Sequence, residues 1–307
     1  MSQTILLRPA VLVHGGAGAR LADRDGCISA AKAGLAVLRA DGDALAAAVS
    51  AVVVMEDDPR FNAGTGSALR MDGRTIEMDA AVMDSRGALG AVACVQRIRN
   101  PVRVALAVTR TPHWLLCAGG AQRFAHDIGE PSYDVATPQA RERHEEMLRQ
   151  LRDGEPVRHG SSNADYIDHW NFAPPPPQLS RQDGPCDTVG AVVRDGAGHF
   201  AVAGSTGGAT PSLLGRVGDT PIIGAGFYAG PEAAIAVTGI GEKIVRHLLA
   251  RTVYDWLAGG MPMAQALDRA IALFEPEVAI GLIALSRAEE GHRSNRPMPT
   301  ALECYAK

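Results

Sequence analysis

The chain has 307 residues, 46% of them apolar, and a formal net charge of −4. It is long enough for one large domain or two ordinary ones, and its charge leaves no basic face for nucleic acid. Its five cysteines (Cys27, Cys94, Cys117, Cys186 and Cys304) are scattered without a CxxC pair, which argues against a zinc site or disulfide framework and for a reduced, cytoplasmic setting.

The first residues, MSQTILLRPAVLVHGG, lack the basic and long apolar regions of a signal peptide. Residues 10–14 read as a buried strand running into Gly15-Gly16-Ala17-Gly18. Helices are expected over 27–40, ending at Asp41-Gly42, and over 44–55, capped by Asp43 and stopped at Glu56-Asp57-Asp58-Pro59. The second is the longest apolar run, contains Ser50, and is too short to span a bilayer, so no membrane association is expected. Residues 67–84 alternate around Asp72-Gly73, a hairpin signal; 89–95 reads as a strand, and 101–108 and 114–124 as helices. A charged helix over 139–152 leads into a linker, 153–187, that holds no clear element apart from 166–172. Strands follow over 189–194 and 199–205, joined through Asp195-Gly196-Ala197-Gly198, then over 221–228 and 233–237. Helices over 242–257 and 263–274 precede a last strand over 278–286. Strands then helices in both halves imply an α+β fold with helices outside a two-sheet core.

Chemistry concentrates after the linker. Asp187-Thr188-Val189-Gly190 places a threonine at the start of a buried strand. A backbone cut before Thr188 would give one residue both a hydroxyl nucleophile and a free α-amine to serve as its base. The hairpin brings Gly204-Ser205-Thr206-Gly207-Gly208 beside that strand's beginning, so Thr206 can hydrogen-bond the Thr188 hydroxyl. Gly215-Arg216-Val217-Gly218-Asp219 spaces a cation and an anion to suit a zwitterion, Arg216 for an α-carboxylate and Asp219 for an α-ammonium. Thr238-Gly239-Ile240-Gly241-Glu242 joins a strand to a helix, where a threonine hydroxyl and a backbone N–H could form an oxyanion hole.

The ordered run DTVGAVV, GSTGGAT, GRVGDTPIIGAGFYA and TGIGE, with HGGAG at His14–Gly18 and MEDDPRFNAGTGS at Met55–Ser67, resembles the plant-type (type III) L-asparaginases and isoaspartyl peptidases. These are threonine-nucleophile members of the N-terminal-nucleophile hydrolase class, and the likeness covers nearly the whole chain. The resemblance implies a four-layer αββα sandwich and a single-domain precursor that cuts itself between Asp187 and Thr188. The products would be an α subunit, 1–187, and a β subunit, 188–307, with two αβ units forming a homodimer. It implies Thr188 as nucleophile, Thr206 as its hydrogen-bond partner, and Thr238 and Gly239 as the oxyanion pair. Arg216 and Asp219 would grip the substrate, and Asn62 of FNAG would reach the site from the α half. It further implies no organic cofactor, a structural sodium ion on the backbone carbonyls of Met55, Glu56, Asp58, Phe61, Ala63 and Thr65, and room for activation by potassium. The substrates implied are small: asparagine and β-aspartyl dipeptides.

Three segments depart from the family pattern: AGPEAAIAV between Tyr228 and Thr238, Thr210-Pro211-Ser212 after STGG, and Pro297-Met298-Pro299-Thr300 near the end. Rival readings carry less. Leu21 stands at the third glycine of a GxGxxG dinucleotide signature, no GxSxG elbow accompanies His14-Gly15-Gly16, and Leu148 breaks an HExxH run at His144. His14 reads as structural. Two alternatives within reach of the same motifs are a glycosylasparaginase-like amidase and an uncleaved homologue that binds β-aspartyl compounds without turnover.

Overall fold

A computed structural model describes residues 7–153, 168–172 and 188–305. Strand β1 (Ala10–His14) is wholly buried. Helix α1 (Arg24–Arg39) leads through Asp41, whose φ of 58° turns the chain, into α2 (Ala44–Asp57). The Asp43 side chain accepts the Ala46 N–H at 2.8 Å, the expected N-cap. There follow β2 (Met78–Asp84), β3 (Leu89–Val95), α3 (Pro101–Val108), β4 (Leu115–Cys117), α4 (Ala118–Asp127) and α5 (Pro138–Asp153). Further along the chain come β5 (Val189–Arg194), β6 (Phe200–Thr206), β7 (Phe227–Ala229), β8 (Ala233–Gly239), α6 (Gly241–His247), α7 (Leu249–Ala258) and α8 (Met263–Ile271). Strands β9 (Ile280–Ser286), β10 (Glu290–Ser294) and β11 (Thr300–Cys304) close the chain.

The strands form two sheets, one ordered β11-β1-β5-β6-β2-β3-β4 and one ordered β10-β9-β8-β7. Alternation along the strands decides what each face touches. Val11, Val13, Val189, Ala191, Val193, Ala201 and Ala203 pack on Leu35, Val52 and Val102 of the first three helices. The opposite residues, Leu12, Val192, Phe200 and Val202, meet Phe227, Ala234, Ala236 and Ile283 of the smaller sheet. That sheet's other face, through Ile235, Val237 and Leu282, packs on Val253 and Leu267 of α7 and α8.

Several expected elements differ. Residues 67–77 hold no strand. Asp72 instead accepts the N–H groups of Arg74 and Thr75 and the Thr75 hydroxyl, forming an Asx turn that satisfies the backbone locally. The stretch 114–124 begins as the edge strand β4, parallel to β3, before α4 starts at Ala118. Of the strand expected over 221–228 only 227–228 lie in a strand, β7, apart from a lone bridge at Ile223, because Ile222 N and Gly226 N both donate to Asp219 O and curl the preceding chain into turns. The helix expected over 242–257 breaks at Leu248, whose φ is 43°. Strands β10 and β11 were not expected: β10, EGHRS, has no apolar alternation to betray it. Of the linker over 153–187, Asp153 closes α5 and 168–172 are described; the rest, with Asp187, lies outside the described residues.

Candidate active site

Strands β5 and β6 pair in register from Val189↔Ser205 to Arg194↔Phe200, so one further step sets Thr188 across from Thr206. Counting back from Val192 and Val202, both threonines lie on the face turned toward the smaller sheet. Thr188 is 5% exposed and Thr206 3%. Thr206 Oγ1 accepts the Gly208 N–H at 3.1 Å. Thr188 Oγ1 lies 3.5 Å from Thr220 Oγ1. Thr220 escaped sequence reasoning; its only signal was a hydroxyl directly after Asp219 in the glycine-rich loop.

Thr238 sits on β8, on the same inter-sheet side as Ala234 and Ala236, and its Oγ1 accepts the Ala17 N–H of the glycine loop at 3.3 Å. Gly239 follows with φ 140°, and a Cβ there would overlap Ala279 O. Only glycine fits.

Arg216 and Asp219 do not pair with each other. Arg216 Nε and Nη2 each donate to one oxygen of Glu242, both at 2.8 Å, a side-on bidentate pair. Nη1 of the same guanidinium lies against Gly218, where a Cβ would come within 2.9 Å. Asp219 is 3% exposed, and its Oδ2 has no partner among the described residues. Burial pushes its carboxyl up to about 7, against the opposing pull of its own backbone N–H and of Arg216. In the ligand-free protein such an acid binds protons more tightly folded than unfolded. Its stability contribution is therefore full below pH 3.8 and is lost as pH rises through about 7. Asp219→Asn, which removes the ionisation, is expected to raise the melting temperature more at pH 8 than at pH 5. Paired thermal melts at those two pH values check it; an equal shift at both would refute the assignment.

The Arg216 loop is held from behind by Arg70, itself 1% exposed. Arg70 Nη1 donates to Ala209 O and Ser212 Oγ, both at 2.8 Å, and Nη2 to Arg216 O at 3.3 Å. Its Nε pairs with Glu77 Oε2 at 3.3 Å, and that oxygen also accepts the Gly215 N–H at 2.8 Å. Arg70→Ala would strand a buried carboxylate and several carbonyls, so it is expected to destabilise by about 3–5 kcal/mol, readable by urea unfolding.

Asn62 ties the FNAG segment to the turn after Thr206: Nδ2 donates to Gly208 O at 2.8 Å, and its own carbonyl accepts the Gly207 N–H at 2.9 Å. Oδ1 accepts the Ala68 N–H at 2.9 Å. In the loop expected to hold sodium, Met55 O, Asp58 O and Ala63 O accept N–H groups from Asp58, Phe61 and Gly66. Glu56 O and Phe61 O abut Gly64 and Gly66, where any Cβ would collide with them. Neutral backbone oxygens on a loop kept clear of side chains fit a hard cation. No cluster of three His, Cys, Asp or Glu suited to a metal occurs among the described residues.

His14, fully buried, faces Gly190 in the β1–β5 register, and burial pushes its pKa down to about 3 against the opposing pull of the Thr188 backbone. A cavity of about 850 Å³ opens between the glycine loop, residues 59–68 and α5, bordered by Gly15, Arg20, Asn62 and Arg143. It touches Asn62 but not Thr188, Arg216 or Asp219. No helix among the described residues is long and apolar enough to cross a membrane.

The profile of the asparaginase family matches residues 7–296. The chain belongs to that family. Among its relatives is the plant-type L-asparaginase of Pyrococcus furiosus, 41% identical over 273 residues, which cover 86% of this chain and 84% of that protein. The isoaspartyl peptidase/L-asparaginase of Danio rerio is 40% identical over 280 residues, 88% of this chain and 83% of that protein. The isoaspartyl peptidase/L-asparaginase of Homo sapiens is 37% identical over 292 residues, 92% of this chain and 88% of that protein. Within this asparaginase-family chain, the Thr188, Thr206, Thr238 and Arg216–Asp219 segments all lie inside the matched span.

Proposed function

We propose that this chain is a self-processing amidohydrolase that cleaves the β-amide of L-asparagine and the isopeptide bond of β-aspartyl dipeptides through a threonyl acyl-enzyme. One observation carries the reading: a buried threonine leading into a central strand, in line with Thr206 and beside Thr220, which directly follows the buried Asp219. The names of the relatives support the substrates. We read the fold as a four-layer αββα sandwich, a reading supported by separate helix–sheet, sheet–sheet and sheet–helix apolar clusters. The single domain would divide into 1–187 and 188–307, working as a homodimer in a reducing, cytoplasmic setting.

In the precursor the Thr188 nitrogen is an amide and no base. Its Oγ attacks the Asp187 carbonyl carbon, the acyl group shifts from nitrogen to oxygen, and water hydrolyses the ester. The products are an Asp187 carboxyl and a Thr188 α-amine, whose ordinary pKa of about 7.7–8.0 leaves a useful neutral fraction near pH 7. That amine takes the hydroxyl proton as Oγ attacks the substrate amide carbon, with Thr206 hydrogen-bonded to the pair. The Thr238 hydroxyl and the Gly239 N–H stabilise the oxyanion. The α-ammonium returns its proton to the leaving ammonia or amine, and water, activated by the same amine, releases aspartate. Arg216 holds the substrate α-carboxylate, and Asp219 holds the α-ammonium. A sodium ion would sit on the carbonyls of Met55, Glu56, Asp58, Phe61, Ala63 and Thr65, where it would order the FNAG loop.

Intact mass of the purified protein tests the scission, and ammonia release from asparagine beside amine release from a β-aspartyl dipeptide tests the substrate. Full turnover by a chain still joined at 187–188 would sink the proposal. Binding without turnover would favour the non-catalytic homologue.

A further inference from the structure

The junction of β8 and α6 packs directly against the Arg216–Asp219 loop. Gly239 closes β8, Gly241 opens α6, and Glu242 follows in the first turn of the helix. A Cβ on Gly241 would come within 2.9 Å of Asp219 N and 3.0 Å of Asp219 Oδ1 and Gly218 Cα. The N–H groups of Lys243 and Ile244 both donate to Ile240 O at 3.0 Å, which fixes the turn that carries Glu242. The strand end read as the oxyanion site and the loop read as the substrate grip are thus joined by one short piece of backbone.

The Glu242 side chain adds a second join. Its two oxygens take Arg216 Nε and Nη2, both at 2.8 Å, two of the five N–H groups that a guanidinium carries. Gly218 lies against the same guanidinium, where a Cβ would meet Nη1 at 2.9 Å and Cζ and Nη2 at 3.3 Å. A bidentate pair fixes the plane of a guanidinium as well as its position. An arginine held in this way has given up its rotamer freedom before a ligand arrives, so less is lost on binding. An acid in the first turn of a helix is also favoured as the anion such a pair needs. Beyond burial, which dominates, Arg216 draws the Asp219 carboxyl down and Glu242 pushes it up, so the three charges lie within reach of one another.

We propose that Glu242 is a positioning residue: it holds the Arg216 guanidinium in the orientation that takes the substrate α-carboxylate, and so sets affinity for amides that carry one. The inference rests on Arg216 as the α-carboxylate clamp. A carboxylate that merely blocked Arg216 would have the opposite sign, since its removal would tighten binding.

The test uses Glu242→Gln, which keeps the length and one acceptor oxygen but removes the second acceptor and the charge. The site is partly exposed, so water solvates the new amide. In the processed full chain, KM for asparagine is expected to rise about tenfold with kcat within about threefold. 3-Aminopropanamide, which lacks the α-carboxylate, should be turned over by the variant as by wild type. In an Arg216→Ala background the substitution is expected to have little further effect. Gly218→Ala, which presses a methyl group on the guanidinium, should raise KM for asparagine with the same selectivity, and decides the matter if the Gln variant does not accumulate. A KM that falls, an equal loss on both amides, or a loss that adds to Arg216→Ala would overturn the proposal. Wild-type turnover by Arg216→Ala would bring down the clamp reading itself, whereas a wild-type-like Glu242→Gln beside an impaired Arg216→Ala removes only the part assigned to Glu242.

Discussion

Thr188→Ala is expected to run as one full-length band on a denaturing gel and to lose asparagine turnover by at least about 10⁴-fold, the scale of removing an enzyme's nucleophile. Both effects come from one oxygen, because the same Oγ would open the 187–188 bond and then the substrate amide. The fold should survive. The hydroxyl's contact with Thr220 is at 3.5 Å, the outer limit of a hydrogen bond, so its loss costs no more than about 1 kcal/mol. A thermal melt close to wild type separates lost chemistry from lost structure. Two bands of the expected masses from this variant would eliminate Thr188 as nucleophile.

Arg216→Ala is expected to lower kcat/KM for asparagine by about 10²–10³-fold while leaving self-cleavage intact, since the guanidinium grips the substrate and not the scissile backbone. The pair with Glu242 makes the interpretation testable. Removing Arg216 leaves a carboxylate whose side chain is 33% exposed, so water solvates much of the stranded charge and stability falls little. A substrate without the α-carboxylate, 3-aminopropanamide, should be turned over equally slowly by wild type and variant. Unchanged turnover of asparagine would refute the clamp.

The α1 and α2 helices and the β5–β6 hairpin were legible because each has a local cause: an Asp43 cap, an apolar face, a glycine-rich turn. The short strand β4 was not, because three residues become a strand only through a partner outside the segment, and β7 was legible only as part of a longer strand. Leu248, at φ 43°, splits a helix without a glycine or proline to announce it. The same division holds at the site. Thr188, Thr206, Thr238, Arg216 and Asp219 stand in recognisable motifs, whereas Arg70, Glu77 and Glu242 gain meaning only from contacts across the chain. Arg70 reaches Ser212, and Glu242 reaches back to Arg216. A motif also cannot show that a guanidinium is already engaged by an internal carboxylate.

The order β11-β1-β5-β6-β2 interleaves the chain about the 187–188 bond. β1, from before that bond, is stitched on one side to β11 and on the other to β5, both from after it. β6, from after it, is stitched to β2, from before it. A nick there would free an end without freeing a piece, since parting the fragments means unzipping three buried ladders at once. The two polypeptides should therefore copurify through dilution and high salt, and come apart only when the molecule unfolds.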